Sequence, residues 1–270
     1  MKQPIDICPA QIICDLLEKA LTYSVTRSFT ETTSEKSLRE RLQKEYAAAI
    51  EKIEEKAHQK IRKLFKHNIF NYSLPAHSIL NENLFSKKTW QFLGLAPRQL
   101  IAAAGMAGGA AGAVLDIAAA GLTFGIFTAI GGLLGAGWMG LGGGKRLARV
   151  KVKGLSLGGE QIQIGPIENI QFVYVLLDRA LIYYSHIINW AHGRRDLPVE
   201  EHGPKGTDKA GFTVEWSDTN RKICQAFYAA IRGSDDQQKT SSRKALYEML
   251  EQVLLDISRS EQRYGVIRKR

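Results

Sequence analysis

Residues 98–145 read RQLIAAAGMAGGAAGAVLDIAAAGLTFGIFTAIGGLLGAGWMGLGGGK, and this stretch sets the expectation for the fold. From Gln99 to Gly144 the only charged residue is Asp116, and the span holds 14 of the chain's 25 glycines. One bilayer crossing takes about 20 residues, so an apolar run of this length suits two crossings joined by a tight turn. Backbone amides in hydrocarbon must be satisfied within their own segment, so the expected form is a helical hairpin with arms at 98–118 and 122–144. Glycine weakens an exposed helix by about 1 kcal/mol relative to Ala, but between membrane helices it lets two backbones approach closely. Gly105 and Gly109, Gly108 and Gly112, Gly121 and Gly125, and Gly131 and Gly135 are spaced for such a glycine zipper and are its expected packing sites.

The flanks extend this reading. Lys87, Lys88 and Arg98 precede the block, and Lys145, Arg146, Arg149, Lys151 and Lys153 follow it, with no acid in 85–98 or 145–155. Basic residues on both sides place both ends in the cytoplasm, so the expected location is the bacterial inner membrane with both termini cytoplasmic. Lys87, Lys88, Arg98, Lys145, Arg146 and Arg149 are expected at lipid headgroups, with Trp90 and Trp138 as interface anchors. Asp116 is the polar exception, either near the far headgroups or buried between the arms. Two alternatives stay open: a Gly/Ala-rich hairpin buried in a soluble core, and one inserted reversibly.

Outward from the block the chain reads as mainly α. A short helix from about Ile12 to Val25 is followed by a Ser/Thr-rich linker over 28–34. A long helix is expected from Ser37 to Phe70, with Ser37 and Glu40 at capping-box spacing. Its apolar stripe is Leu38, Leu42, Tyr46, Ile50, Ile53, Ala57, Ile61 and Leu64, and Glu51, Lys52, Glu54, Glu55 and Lys60 form a solvated face. After the block, Val150 to Ile164 alternates around Gly158-Gly159 as a small β-hairpin. A helix over 166–192 is apolar on most sides but interrupted by Asp178, Arg179 and Asn189, which favours a buried helix over a span. Residues 193–217 look like an exposed loop, and amphipathic helices at 218–232 and 241–264 close the chain. The organisation expected is an N-terminal segment (1–33), a long helix and connector (34–97), the apolar hairpin (98–145) and a β-hairpin with C-terminal helices (146–270).

Composition narrows the functional classes. An apolar fraction of 44% is ordinary for a globular chain, so the whole is not a polytopic membrane protein. The net charge of +10 calls for an anionic partner, and its concentration beside the apolar block favours anionic membrane lipid over nucleic acid. Three cysteines without paired spacing fit a reducing compartment. Met1 to Asp15 lacks a basic stretch followed by an apolar one, so no cleaved signal peptide is expected. Gly140 to Lys145 resembles a phosphate loop only superficially, because Met139 and Arg146 stand where that loop needs Gly and Ser or Thr. The histidines show no metal-ligand spacing, no nucleophile motif occurs, and Asp178-Arg179 reads as a local ion pair. No catalytic residue, cofactor or metal is expected.

Leu84-Phe85-Ser86, Thr89-Trp90, Phe92 to Leu95, the Gly105 to Ala113 pattern, Asp116 and Gly121 to Gly125 together resemble the bacterial domain of unknown function 3482. The helix ending near Ile187 to Gly193 and the polar tail resemble it too, and the likeness covers roughly 35–260. In that family the domain usually follows an Era/TrmE-like GTPase domain. Residues 1–33 supply no Walker A loop, so the resemblance implies a membrane-linked module of a GTPase system without GTPase activity of its own. The expectation is therefore a non-enzymatic module that inserts its hairpin and acts with a GTPase partner, with a homo-oligomer as a further partner. A pore- or channel-forming oligomer, and a soluble helical regulator with a basic nucleic-acid-binding surface, are the competing expectations.

Overall fold

The computed structural model describes residues 8–29, 35–65, 72–76, 78–96, 98–100, 151–152, 155–156, 160–191 and 209–267. The glycine pairs, Asp116, Trp138, Lys145, Arg146 and Arg149 lie outside these residues, and the expected hairpin with them. The elements run α1 (Pro9–Thr22), β1 (Val25–Phe29), α2 (Glu35–Leu64), a 3-10 turn (Ile79–Asn81), α3 (Lys87–Phe92), β2 (Lys151–Val152) and β3 (Leu155–Ser156). Then follow β4 (Glu160–Ile164), α4 (Gln171–Ala191), a second 3-10 turn (Thr213–Glu215), α5 (Asp218–Arg232) and α6 (Asp236–Ile267). The protein is mainly helical.

Two helices form the centre. α1 starts at Pro9, a first-turn position that needs no amide hydrogen, and buries Ile12, Ile13, Leu16, Leu17 and Leu21 around most of its circumference. It meets α2, α4, α5 and α6. Every residue of α4 from Gln171 to Asn189 is buried, as a helix apolar on all sides must be, and α1, α2 and α6 cover it. α2 lays Leu42, Tyr46, Ile50, Ala57 and Ile61 against this centre, and its apolar positions recur every three or four residues as expected. Three details of α2 differ from expectation: it begins at Glu35, so Ser37 lies inside the helix and is not its cap. Leu64 is exposed, and Glu54, expected on the solvated face, is buried in the stripe because it has a cation to meet there.

α5 has the expected bounds. The Ser217 side chain caps it by accepting from the Asn220 amide at 3.2 Å, and Gly233 follows its last turn. α6 begins earlier than expected because Asp235 Oδ1 accepts from the amides of Gln237 and Gln238 at 2.8 and 3.2 Å, which caps the first turn at Asp236.

The strands correct the reading of residues 150–164 as one hairpin. β2 and β3 pair with each other, but β4 pairs antiparallel with β1, from Val25↔Ile164 to Phe29↔Glu160. Residues expected to end a helix and open a linker are therefore a strand. Val25, Ile162 and Ile164 are buried, whereas Thr26, Arg27, Ser28 and Gln161 are exposed, so one face of the β1–β4 pair meets the core.

The expected inner-membrane location with cytoplasmic termini is also corrected. Among the described residues no helix is long and apolar enough to cross a membrane. α4 has the length, at 21 residues, but Gln171, Asp178, Arg179, His186 and Asn189 dilute its hydropathy, and protein groups cover it on its other sides.

Candidate functional site

Polar side chains on a buried helix must find partners, and on α4 those partners hold the chain that leads into the glycine-rich block. Gln171 and Asp178 stand seven residues apart, two turns, and so share a face. Asp178 is fully buried and accepts from the Gly94 amide through Oδ2 at 2.6 Å. Thr213 donates its amide to Oδ1 at 2.8 Å and its hydroxyl to Oδ2 at 2.9 Å. Gln171 Oε1 accepts from the Leu95 amide at 3.1 Å, and its Nε2 donates to the Leu95 carbonyl at 3.1 Å. Residues 90–99 and 209–214 are laced to each other as well. Lys209 Nζ donates to the carbonyls of Leu93 (2.6 Å) and Trp90 (2.9 Å), the Ala210 amide donates to the Phe92 carbonyl (2.8 Å), and Gln99 Nε2 reaches the Val214 carbonyl (2.8 Å).

Two glycines permit the close approach. Gly94 has φ +79°, and a Cβ there would come within 2.6 Å of Gln171 Nε2. At Gly211 a Cβ would overlap the Asp178 carboxylate. Burial pushes the Asp178 carboxyl up to about 6, against the opposing pull of the Thr213 and Gly94 amides, the Thr213 hydroxyl and Lys209. Burial likewise pushes the Lys209 ammonium down to about 8, with Asp178 opposing. Three protein donors meet the two carboxylate oxygens, so Asp178 fastens residues 94 and 213 to α4.

Arg179 faces the other way. It does not pair with Asp178, contrary to the local ion pair expected, because adjacent helical residues point about 100° apart. Its Nε and Nη2 grip Glu54 of α2 at 2.5 and 3.1 Å, and Nη1 donates to the Glu82 carbonyl at 3.0 Å. His58, one turn beyond Glu54, stacks on Tyr183 with centroids 4.0 Å apart, and burial pushes it down to about 4. Ser78 Oγ and His186 Nε2 share a hydrogen bond of 3.0 Å. Among the described residues no group of His, Cys, Asp and Glu could hold a metal ion.

The expected lipid-contact residues are scattered. Lys87 and Arg98 are exposed, and Lys88 pairs with Glu82 at 2.8 Å. Trp90, expected as an interface anchor, is instead a core residue. It is fully buried, donates its indole hydrogen to the Leu84 carbonyl at 2.9 Å, and stacks on Phe172 at 6.0 Å. Lys209, Thr213, Gln171 and Glu54 went unrecognised in the sequence; the one available signal was the presence of polar residues on an otherwise apolar α4. A cleft of about 220 Å³ between α1, α5 and α6 has Phe227 and Ile231 in its wall, but its Arg243 is already taken by Asp15 and Glu18.

No curated protein and no solved structure matches the chain. The family described as Domain of unknown function (DUF3482) matches residues 8–253, nearly the whole chain, and the protein belongs to that family.

Proposed function

We propose that this protein is a non-enzymatic helical module whose folded body holds the glycine-rich segment 99–144 in place for a partner, and that this partner is a GTPase. One observation carries the reading. In this polar hub, Gln171 and Lys209 give their side-chain hydrogen bonds to residues 90–95, a few residues before that segment, and Asp178 adds the Gly94 amide to the two bonds it takes from Thr213. A buried network of this kind costs several kcal/mol in desolvation, which suits a need to fix one stretch of backbone in one geometry. The GTPase partner rests on the family resemblance alone.

The test is calorimetric titration of the full chain against each purified Era/TrmE-like GTPase of the same cell, loaded with GDP or with a non-hydrolysable GTP analogue. Binding that depends on the nucleotide, and that weakens in Gly108→Leu and Gly112→Leu, is the expected result. Absence of binding to every such GTPase in both states would sink the proposal.

A further inference from the structure

α2 carries a second feature that the hub does not involve. Lys52, Lys56, Lys60 and Lys63 are all exposed, and at 100° per residue they fall within an arc of about 80°. At 1.5 Å per residue the row runs about 16 Å along the helix. The nearby acids are engaged elsewhere. Glu45 pairs with Arg27 at 2.9 Å, Glu54 is buried against Arg179, and Glu55 accepts from Gln59 at 3.0 Å. Glu51 is half-buried, and Arg62 sits over the Tyr72 ring at the helix end. Among the described residues no acidic side chain pairs with any of the four lysines. Lysines spaced four apart repel by a few tenths of a kcal/mol, where Glu in alternate places would stabilise the helix. The sequence therefore keeps this row at a small cost in stability.

We propose that this row docks the phosphate backbone of duplex nucleic acid. Its residue types select that occupant. A helix lying on lipid needs apolar side chains beside its cations, and protein interfaces favour aromatic and Arg anchors while excluding Lys. The row is flanked by Ala48 and Gln59, with Leu64 the one large exposed apolar residue of α2, at its very end. No exposed aromatic stands on α2 to stack an unpaired base. Lysine is a point charge suited to phosphate, and a straight row of this length can lie along a short run of phosphates on one strand of a duplex. The contacts go to the backbone alone, so the docking is indifferent to sequence.

The experiment is fluorescence anisotropy of the full chain with 20-base-pair DNA and RNA duplexes, beginning at 50 mM salt and repeated up a salt series. The test variant carries Lys52→Gln, Lys56→Gln, Lys60→Gln and Lys63→Gln. A control loses the same charge from α1, α5 and α6 through Lys19→Gln, Lys222→Gln, Lys244→Gln and Arg259→Gln, all at exposed positions. Circular dichroism melting establishes that both are folded. We expect the test variant to bind at least tenfold more weakly, with a salt slope lower by about three to four, because each neutralised phosphate contributes about 0.9. The control should bind like the wild type, and Lys→Arg at the four positions should restore binding. A wild type that binds neither duplex, equal weakening in both variants, or a test variant that loses only phosphatidylglycerol vesicles would each overturn the proposal.

Discussion

Asp178 and Arg179 are neighbours in sequence, fully or almost fully buried, and of opposite charge, yet they stabilise themselves by different means. Asp178 is solvated by backbone amides and a hydroxyl from loop segments, with Lys209 as a second charge nearby. Arg179 is matched by a carboxylate on a neighbouring helix, with both groups supplied by side chains. The two arrangements differ in where a substitution can be compensated. A side-chain partner can be changed together with its mate, whereas a backbone amide has no mate to mutate.

The largest effect is expected on the Arg179 side. Arg179→Met strands Glu54 in the core and should cost about 3–5 kcal/mol in urea unfolding. The double variant Glu54→Leu, Arg179→Met should recover most of that loss, since an apolar pair of similar volume is often as stable as a buried ion pair. A double variant no more stable than the single one would show that Glu54 is not the group stranded by the loss of Arg179.

On the Asp178 side no second substitution should rescue the loss. Asp178→Asn keeps the shape but turns an amide toward a donor, and should cost about 1–3 kcal/mol. Gly94→Ala strains a left-handed turn and crowds Gln171, and a similar cost of about 1–3 kcal/mol is expected. Thermal melts of both variants would sharpen the contrast.

Acidification should pull the two regions in opposite directions. The folded pKa of Asp178 is raised, so its carboxyl favours folding most at low pH, and that contribution is lost as pH rises from about 4 through about 6. The folded pKa of His58, beside Glu54, is lowered, so its contribution is present above about 6.5 and is lost as pH falls toward about 4. Stability measured between pH 4 and 7 should therefore fall less steeply on acidification in His58→Gln than in the wild type, and more steeply in Asp178→Asn. Identical profiles would show that neither group titrates as described. The smallest effect belongs to Lys88→Ala, which removes an exposed pair with Glu82 and should shift stability by less than about 0.5 kcal/mol.

Much of the helical frame was legible. The stripe of α2, the buried character of α4 and the bounds of α5 all follow from local periodicity and caps, which a single sequence displays directly. The pairing of β1 with β4 was not, because its registry depends on residues more than a hundred positions apart and the polar run Thr26-Arg27-Ser28 gives β1 little apolar alternation. The hub was illegible for the same reason. Asp178 meets Gly94 across 84 positions, and Lys209 lies in a stretch whose glycine and charge suggested an exposed loop. Lys209, Gly211 and Thr213 are buried beside the Asp178 carboxylate, and nothing in their own stretch of sequence announces that partner.

The three cysteines, unremarkable as ligands, lie at graded depths. Cys224 in α5 and Cys14 in α1 are buried in the core, and Cys8 is half-buried at the start of α1, sharing a hydrogen bond with Tyr247 of α6. Burial pushes the Cys14 thiol up to about 12 and raises Cys224 as well, so neither reacts as thiolate while the core is closed. The protein thus carries an intrinsic clock of its own opening. Alkylation of Cys14 and Cys224, followed by mass spectrometry, would time exposure of the central helices without any introduced label, with Cys8 as the early marker of fraying at α1.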